Sequence, residues 1–121
     1  MGHQAVEIVG GKALYEGRTL AAWVPDVIER IFERTDVRCV VVYGSVERGD
    51  DGPDSDIDLL VVFPTITRRH DSAVRVLREL RDLPVPLDLA AVDDAILERE
   101  AQVPGLVRVA LREGRVVERA A

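Results

Sequence analysis

The sequence predicts an α/β protein of the α+β type, with a mixed β-sheet flanked by helices. Three apolar runs of strand length, at 37–43, 57–63 and 87–92, alternate with stretches whose apolar residues recur at helical spacing. Two polar signatures sit at the ends of these runs. Gly44-Ser45 closes the first run, and Asp56-Ile57-Asp58 opens the second after ten intervening residues.

The elements follow in order. Val6 to Val9 and Lys12 to Tyr15 flank Gly10-Gly11, a two-residue hairpin signal. Residues 1–18 therefore read as a hairpin extension, and 19–118 as the core of one domain spanning 1–121. Gly10-Gly11-Lys12 is not a P-loop, because the spaced first glycine and a hydroxyl residue after Lys12 are missing. Leu20, Trp23, Val24, Val27, Ile28, Ile31 and Phe32 form a helical stripe behind a capping Thr19. Pro25 lies inside it and is expected to shift the helix start or kink it. A short helix runs from Gly44-Ser45 to about Gly49, followed by Asp50-Asp51-Gly52-Pro53-Asp54, a loop dense in turn formers and free to move. Ala73, Val74, Leu77, Leu80 and Leu83 mark a helix entered at Asp71 or Ser72, with Arg75, Arg78 and Arg81 as an exposed basic stripe. Pro84 and Pro86 break the chain before the third strand. Asp93-Asp94 begins a helix to about Ala101. Pro104 suits the first turn of a last helix, which Gly114 ends, and residues 115–118 form an edge strand.

A chain of 121 residues supports one hydrophobic core. Its 47% apolar and 31% charged residues argue against disorder, and its net charge of −6 against strong nucleic-acid binding. Much of the excess lies in Asp50, Asp51, Asp54, Asp56 and Asp58, where a metal ion would offset it. Cys39 is alone, so no disulfide forms within the chain, and its place on a core strand makes it inert filling. His3 and His70 lack ligand spacing and read as surface residues. No apolar run approaches the ~18 residues of a membrane span, so a cytoplasmic location is expected.

The two signatures carry chemistry together. A Gly-Ser pair between strand and helix offers backbone N–H groups and a hydroxyl to a phosphate. Asp56 and Asp58 are two residues apart on a strand, so both carboxylates leave one face while Ile57 enters the core. Such carboxylates repel unless a cation sits between them, and hard oxygen ligands suit a phosphate-bound Mg²⁺. An EF-hand loop beginning at Asp54 is excluded, because its glycine and glutamate positions hold Leu59 and Thr65. Arg48 can reach a phosphate or pair with an aspartate of the following loop, and both roles stay open.

Gly44-Ser45, the ten-residue spacer and Asp56-Ile57-Asp58 resemble the nucleotidyltransferase superfamily of DNA polymerase beta in its minimal stand-alone form. The resemblance runs from about residue 20 to about 118 and includes Asp88, where the family carries a third catalytic aspartate. Glu47 departs from it, since the family more often has a small residue there. The resemblance implies Asp56, Asp58 and Asp88 as catalytic and metal-binding residues, and Gly44, Ser45 and Arg48 as nucleotide-binding residues. It also implies two Mg²⁺ ions, with Mn²⁺ as a substitute, and ATP as AMP donor. Minimal proteins of this kind resemble antitoxins that adenylylate a hydroxyl of a HEPN-type RNase toxin, which makes such a toxin the expected partner. An aminoglycoside-like small-molecule transferase and a non-catalytic antitoxin acting by occlusion are the alternatives.

Overall fold

The computed structural model describes residues 6–120, so His3 lies outside the described residues. β1 (Glu7–Val9) and β2 (Lys12–Tyr15) pair antiparallel across Gly10 and Gly11, whose φ angles of 60° and 80° a primed turn requires. A second turn through Glu16 and Gly17 returns the chain as β3 (Arg18–Thr19). The expected hairpin is thus a three-stranded meander, whose last strand was too short to leave a periodic signal.

β3 runs directly into α1 (Leu20–Arg34), capped by Thr19 Oγ1, which accepts the Ala22 N–H at 3.2 Å. Pro25 neither delays the start nor ends the helix. Its ring is exposed, and its lack of an N–H removes one intrahelical bond. The stripe is buried as read, from Leu20 to Ile31, with Phe32 partly buried against the same core. Thr19→Ala is expected to destabilise the protein by about 1 kcal/mol, measurable as a lower denaturant midpoint at unchanged slope.

β4 (Cys39–Tyr43), α2 (Gly44–Arg48), β5 (Ile57–Phe63), α3 (Arg69–Glu79), β6 (Leu87–Asp93), α4 (Asp94–Glu100), α5 (Leu106–Glu113) and β7 (Arg115–Glu118) complete the chain. The second sheet has the order β6-β5-β4-β7, with β5 and β6 parallel and the other pairs antiparallel, so it is mixed as expected. All five β4 residues are buried, which explains a continuous apolar run rather than an alternating one. Val40, Val42, Leu59 and Val61 face one core with α1 and with Val76 and Leu80 at α3. Cys39, Val41, Tyr43, Leu60 and Val62 face the other core, with Val107 and Ala110 of α5.

Several boundaries differ from the sequence reading. β4 begins at Cys39, two residues later than expected. α3 begins at Arg69, with Asp71 inside its first turn, where a carboxylate complements the N-terminal dipole without capping. Ser72, Val76 and Leu80 form its buried line. Pro104 precedes the Gly105 cap of α5 rather than entering the first turn. Asp93 caps α4 as read: one oxygen accepts the Ile96 N–H at 2.9 Å and the other the Ile66 N–H at 3.2 Å. These amides hold its carboxyl below the usual range.

Candidate active site

One row across the sheet builds the site. Tyr43, the last residue of β4, pairs in register with Asp58 of β5, and Asp58 pairs with Asp88 of β6. Residues in one cross-strand row share a face, here the one covered by α5. Asp56 immediately precedes β5. Carboxylate oxygens of Asp56, Asp58 and Asp88 lie within 4.8 Å of one another. Ile57 between the first two is fully buried, and its N–H donates to Pro86 O at 3.0 Å. That bond joins the entries of β5 and β6, the two strands that carry the cluster.

The charges are frustrated. Burial, then repulsion from Asp56 and Asp88, pushes the Asp58 carboxyl up to about 6. Burial and the same three carboxylates push the Tyr43 phenol up to about 12, so it remains an O–H donor. Three carboxylates without nitrogen or sulfur form a hard donor set, and their mutual repulsion is relieved by a divalent cation. The cluster therefore fits Mg²⁺ or Mn²⁺.

Gly44 makes the turn from β4 into α2 at φ 82°, and a Cβ there would overlap the Asp58 carboxylate. Ser45 donates its hydroxyl to Ser55 Oγ at 3.2 Å, and Ser55 Oγ accepts the Gly52 N–H at 2.9 Å. The Gly44-Ser45 turn is thus tied to the residue before Asp56. Arg48 is exposed and pairs with Asp50 at 3.3 Å and Glu113 at 3.2 Å, so its loop contact is formed. Glu47, the departure from the family pattern, pairs with Arg115 at 3.2 Å, which offsets its charge beside the turn.

Sequence reading missed three residues here. Tyr43 was visible only as the residue before Gly44, because its place beside Asp58 depends on strand register. Lys12 and Asp51 form an ion pair of 2.6 Å between the N-terminal meander and the loop after α2. Asp51 is buried, and its Oδ2 has no hydrogen-bond partner among the described residues. A groove of about 560 Å³ between α1 and β7, lined by Val24, Ile28, Phe32 and Val117, contains none of the three aspartates. It opens on the other face of the sheet, so it is not part of this site.

A mixed sheet with carboxylates converging at one end, beside a Gly-Ser turn, defines a fold and site suited to a divalent cation and a phosphate ester. The Nucleotidyltransferase domain family matches residues 19–117, and the chain belongs to that family, whose general chemistry is nucleotidyl transfer. The fold is polymerase beta-like. It is similar to a crystal structure of a candidate nucleotidyltransferase from Sulfolobus solfataricus, with 25% identity and a TM-score of 0.52. That match covers 66% of this chain and 72% of the other. Among curated proteins, none matches this chain. Among the described residues, no helix is long and apolar enough to cross a membrane.

Proposed function

We propose that the protein transfers AMP from ATP to a hydroxyl of a partner protein, as an antitoxin that adenylylates a HEPN-type RNase toxin. The convergence of Asp56, Asp58 and Asp88 beside Gly44-Ser45 supports the transfer reading most strongly. The acceptor reading draws on the exposure of Asp88, which leaves the cluster open to a hydroxyl carried on another surface.

Asp56 and Asp58 would hold two divalent ions, with Asp88 completing the site on the acceptor side. Bound there, the ions supply charge neutralisation for the attacking and leaving oxygens of an in-line displacement. The acceptor hydroxyl gives up its proton to water as its oxygen bonds to the α-phosphorus, the bond to the bridging oxygen of the β-phosphate breaks, and pyrophosphate leaves. Gly44 keeps the backbone close enough for its neighbours' N–H groups to meet the outer phosphates, and Ser45 adds a hydroxyl. Tyr43, protonated at neutral pH, contributes an O–H donor beside the carboxylates. The chain positions and neutralises, and no covalent enzyme intermediate is required.

ATP is expected to bind measurably better with Mg²⁺ or Mn²⁺ than without, because the acidic cluster otherwise repels the triphosphate. Affinity for Mn²⁺ is expected to weaken as pH falls through about 6, where a proton competes for Asp58. Calorimetric titration at several pH values reads both, and equal ATP affinity with and without metal would remove the metal from nucleotide binding. Incubation with labelled ATP, Mg²⁺ and the co-encoded partner, followed by mass spectrometry, then tests the acceptor. Label on an aminoglycoside but never on the partner supports the small-molecule alternative. Full neutralisation of the partner by a variant carrying both Asp56→Asn and Asp58→Asn supports occlusion.

A further inference from the structure

Lys12 is the only lysine among the 16 Lys and Arg residues, and it lies on the meander, before the family-matched segment at 19–117. Its ammonium donates to Asp51 Oδ1 at 2.6 Å, to Gly49 O at 3.0 Å and to Asp51 O at 3.4 Å. Three acceptors match the three N–H bonds of an ammonium, a geometry that a planar guanidinium does not reproduce. An ion pair that only neutralised Asp51 would need the carboxylate alone. Here two of the three acceptors are main-chain carbonyls of the loop.

The meander gives Lys12 a firm base. Ala13 is buried, Tyr15 O accepts the Trp23 Nε1–H at 2.8 Å, and Arg18 stacks 3.5 Å over the Trp23 ring while pairing with Asp26 at 2.9 Å. From the clamped segment the hold passes onward. The Gly52 N–H meets Ser55 Oγ, Ser55 Oγ receives the Ser45 hydroxyl, and Ser55 is bonded directly to Asp56. The loop thus links the phosphate turn to the first carboxylate, and Lys12 fastens it from outside.

We propose that Lys12 is a positioning residue for the active site, clamping Gly49–Asp51 so that Ser55 orients Ser45 and Asp56 joins Asp58 and Asp88. The proposal rests on the reading of those aspartates as metal ligands. Removing Lys12 alone would strand a buried carboxylate, so the primary variant combines Lys12→Met with Asp51→Asn. In it, hydrogen exchange at the Gly52 amide is expected to quicken on the order of tenfold, and Mn²⁺ affinity to fall on the order of tenfold. Lys12→Arg is expected to lose Mn²⁺ affinity as well.

Rescue separates positioning from simple destabilisation. Lys12→Cys alkylated with 2-bromoethylamine rebuilds an ammonium at lysine reach, whereas iodoacetamide leaves a neutral amide. Cys39 is buried, and burial pushes its thiol up, so it is shielded from both reagents. Aminoethylation is expected to restore exchange protection and Mn²⁺ affinity, and carbamidomethylation neither. Unchanged exchange in the double variant, a loosened loop with unchanged Mn²⁺ affinity, or equal rescue by both reagents would overturn the proposal. An unmodified protein that binds no Mn²⁺ would instead defeat the metal reading, and the role of Lys12 with it.

Discussion

Asp58→Asn is expected to abolish metal-supported transfer while making the metal-free protein more stable. The functional loss should exceed about 100-fold, since even residues one step removed from a metal cost 10–100-fold when changed. The stability gain follows from the frustrated cluster. Asp58 ionises near 6 in the folded protein against 3.8 in its ordinary state, raised by burial and then by Asp56 and Asp88. Because the folded pKa is the higher one, the favourable contribution of Asp58 is complete below about pH 4 and is lost as pH rises through about 6. At pH 7 the native carboxylate is ionised and costs stability. At about 1.4 kcal/mol per pKa unit, and discounted for partial solvent access, that cost is about 1–2 kcal/mol. Asparagine removes it and the pH dependence together. Thermal melting of metal-free protein from pH 4 to 8 should show the variant melting several degrees higher at pH 7 and equally at pH 4. A variant that melts lower at pH 7 would show that the carboxylates are not in conflict.

Gly44→Ala should damage both the fold and the site. The φ of 82° places any L side chain in the left-handed region, and the added methyl meets the Asp58 carboxylate. Strain and overlap together are expected to cost about 2–4 kcal/mol. Relief of the overlap requires the Asp58 carboxylate to shift from its place beside Asp56 and Asp88, so Mn²⁺ affinity should fall as well. Gly17→Ala is the matched control, because Gly17 has a φ of 79° but no atom within 4 Å of the added Cβ. It should lose only about 1–2 kcal/mol from backbone strain and retain Mn²⁺ binding. Equal loss of Mn²⁺ affinity in both variants would assign the effect to backbone strain and not to the contact with Asp58.

Much of the architecture was legible because it is local. The stripe from Leu20 to Ile31 reports a buried helix face, and Thr19 caps it by a bond three residues long. The run at 57–63 matched β5 residue for residue, since burial on both faces leaves an apolar stretch broken only by Asp58. Gly44 and the pair Asp56 and Asp58 were readable because each signature spans only a few residues of chain. Asp88 was different. Its run marked a strand, but its place beside Asp58 came from family resemblance, since the parallel pairing of β5 with β6 joins residues thirty positions apart.

The rest was decided in three dimensions. β3 is two residues long and pairs only because the chain turns back at Glu16 and Gly17. α3 starts before its expected cap because its buried line, Ser72, Val76 and Leu80, sets the helix, and Arg68 precedes it without a side-chain bond. Tyr43 entered the site through strand register, and the loop that looked unconstrained is held by Lys12 from 39 residues away. By itself the sequence determined the helices, every strand but β3, and the two short signatures of the site, because periodicity and turn chemistry act within a few residues. Tertiary structure alone decided how Tyr43, Asp58 and Asp88 form one row and how Lys12 reaches Asp51, because those contacts depend on which distant strands meet, and in what register.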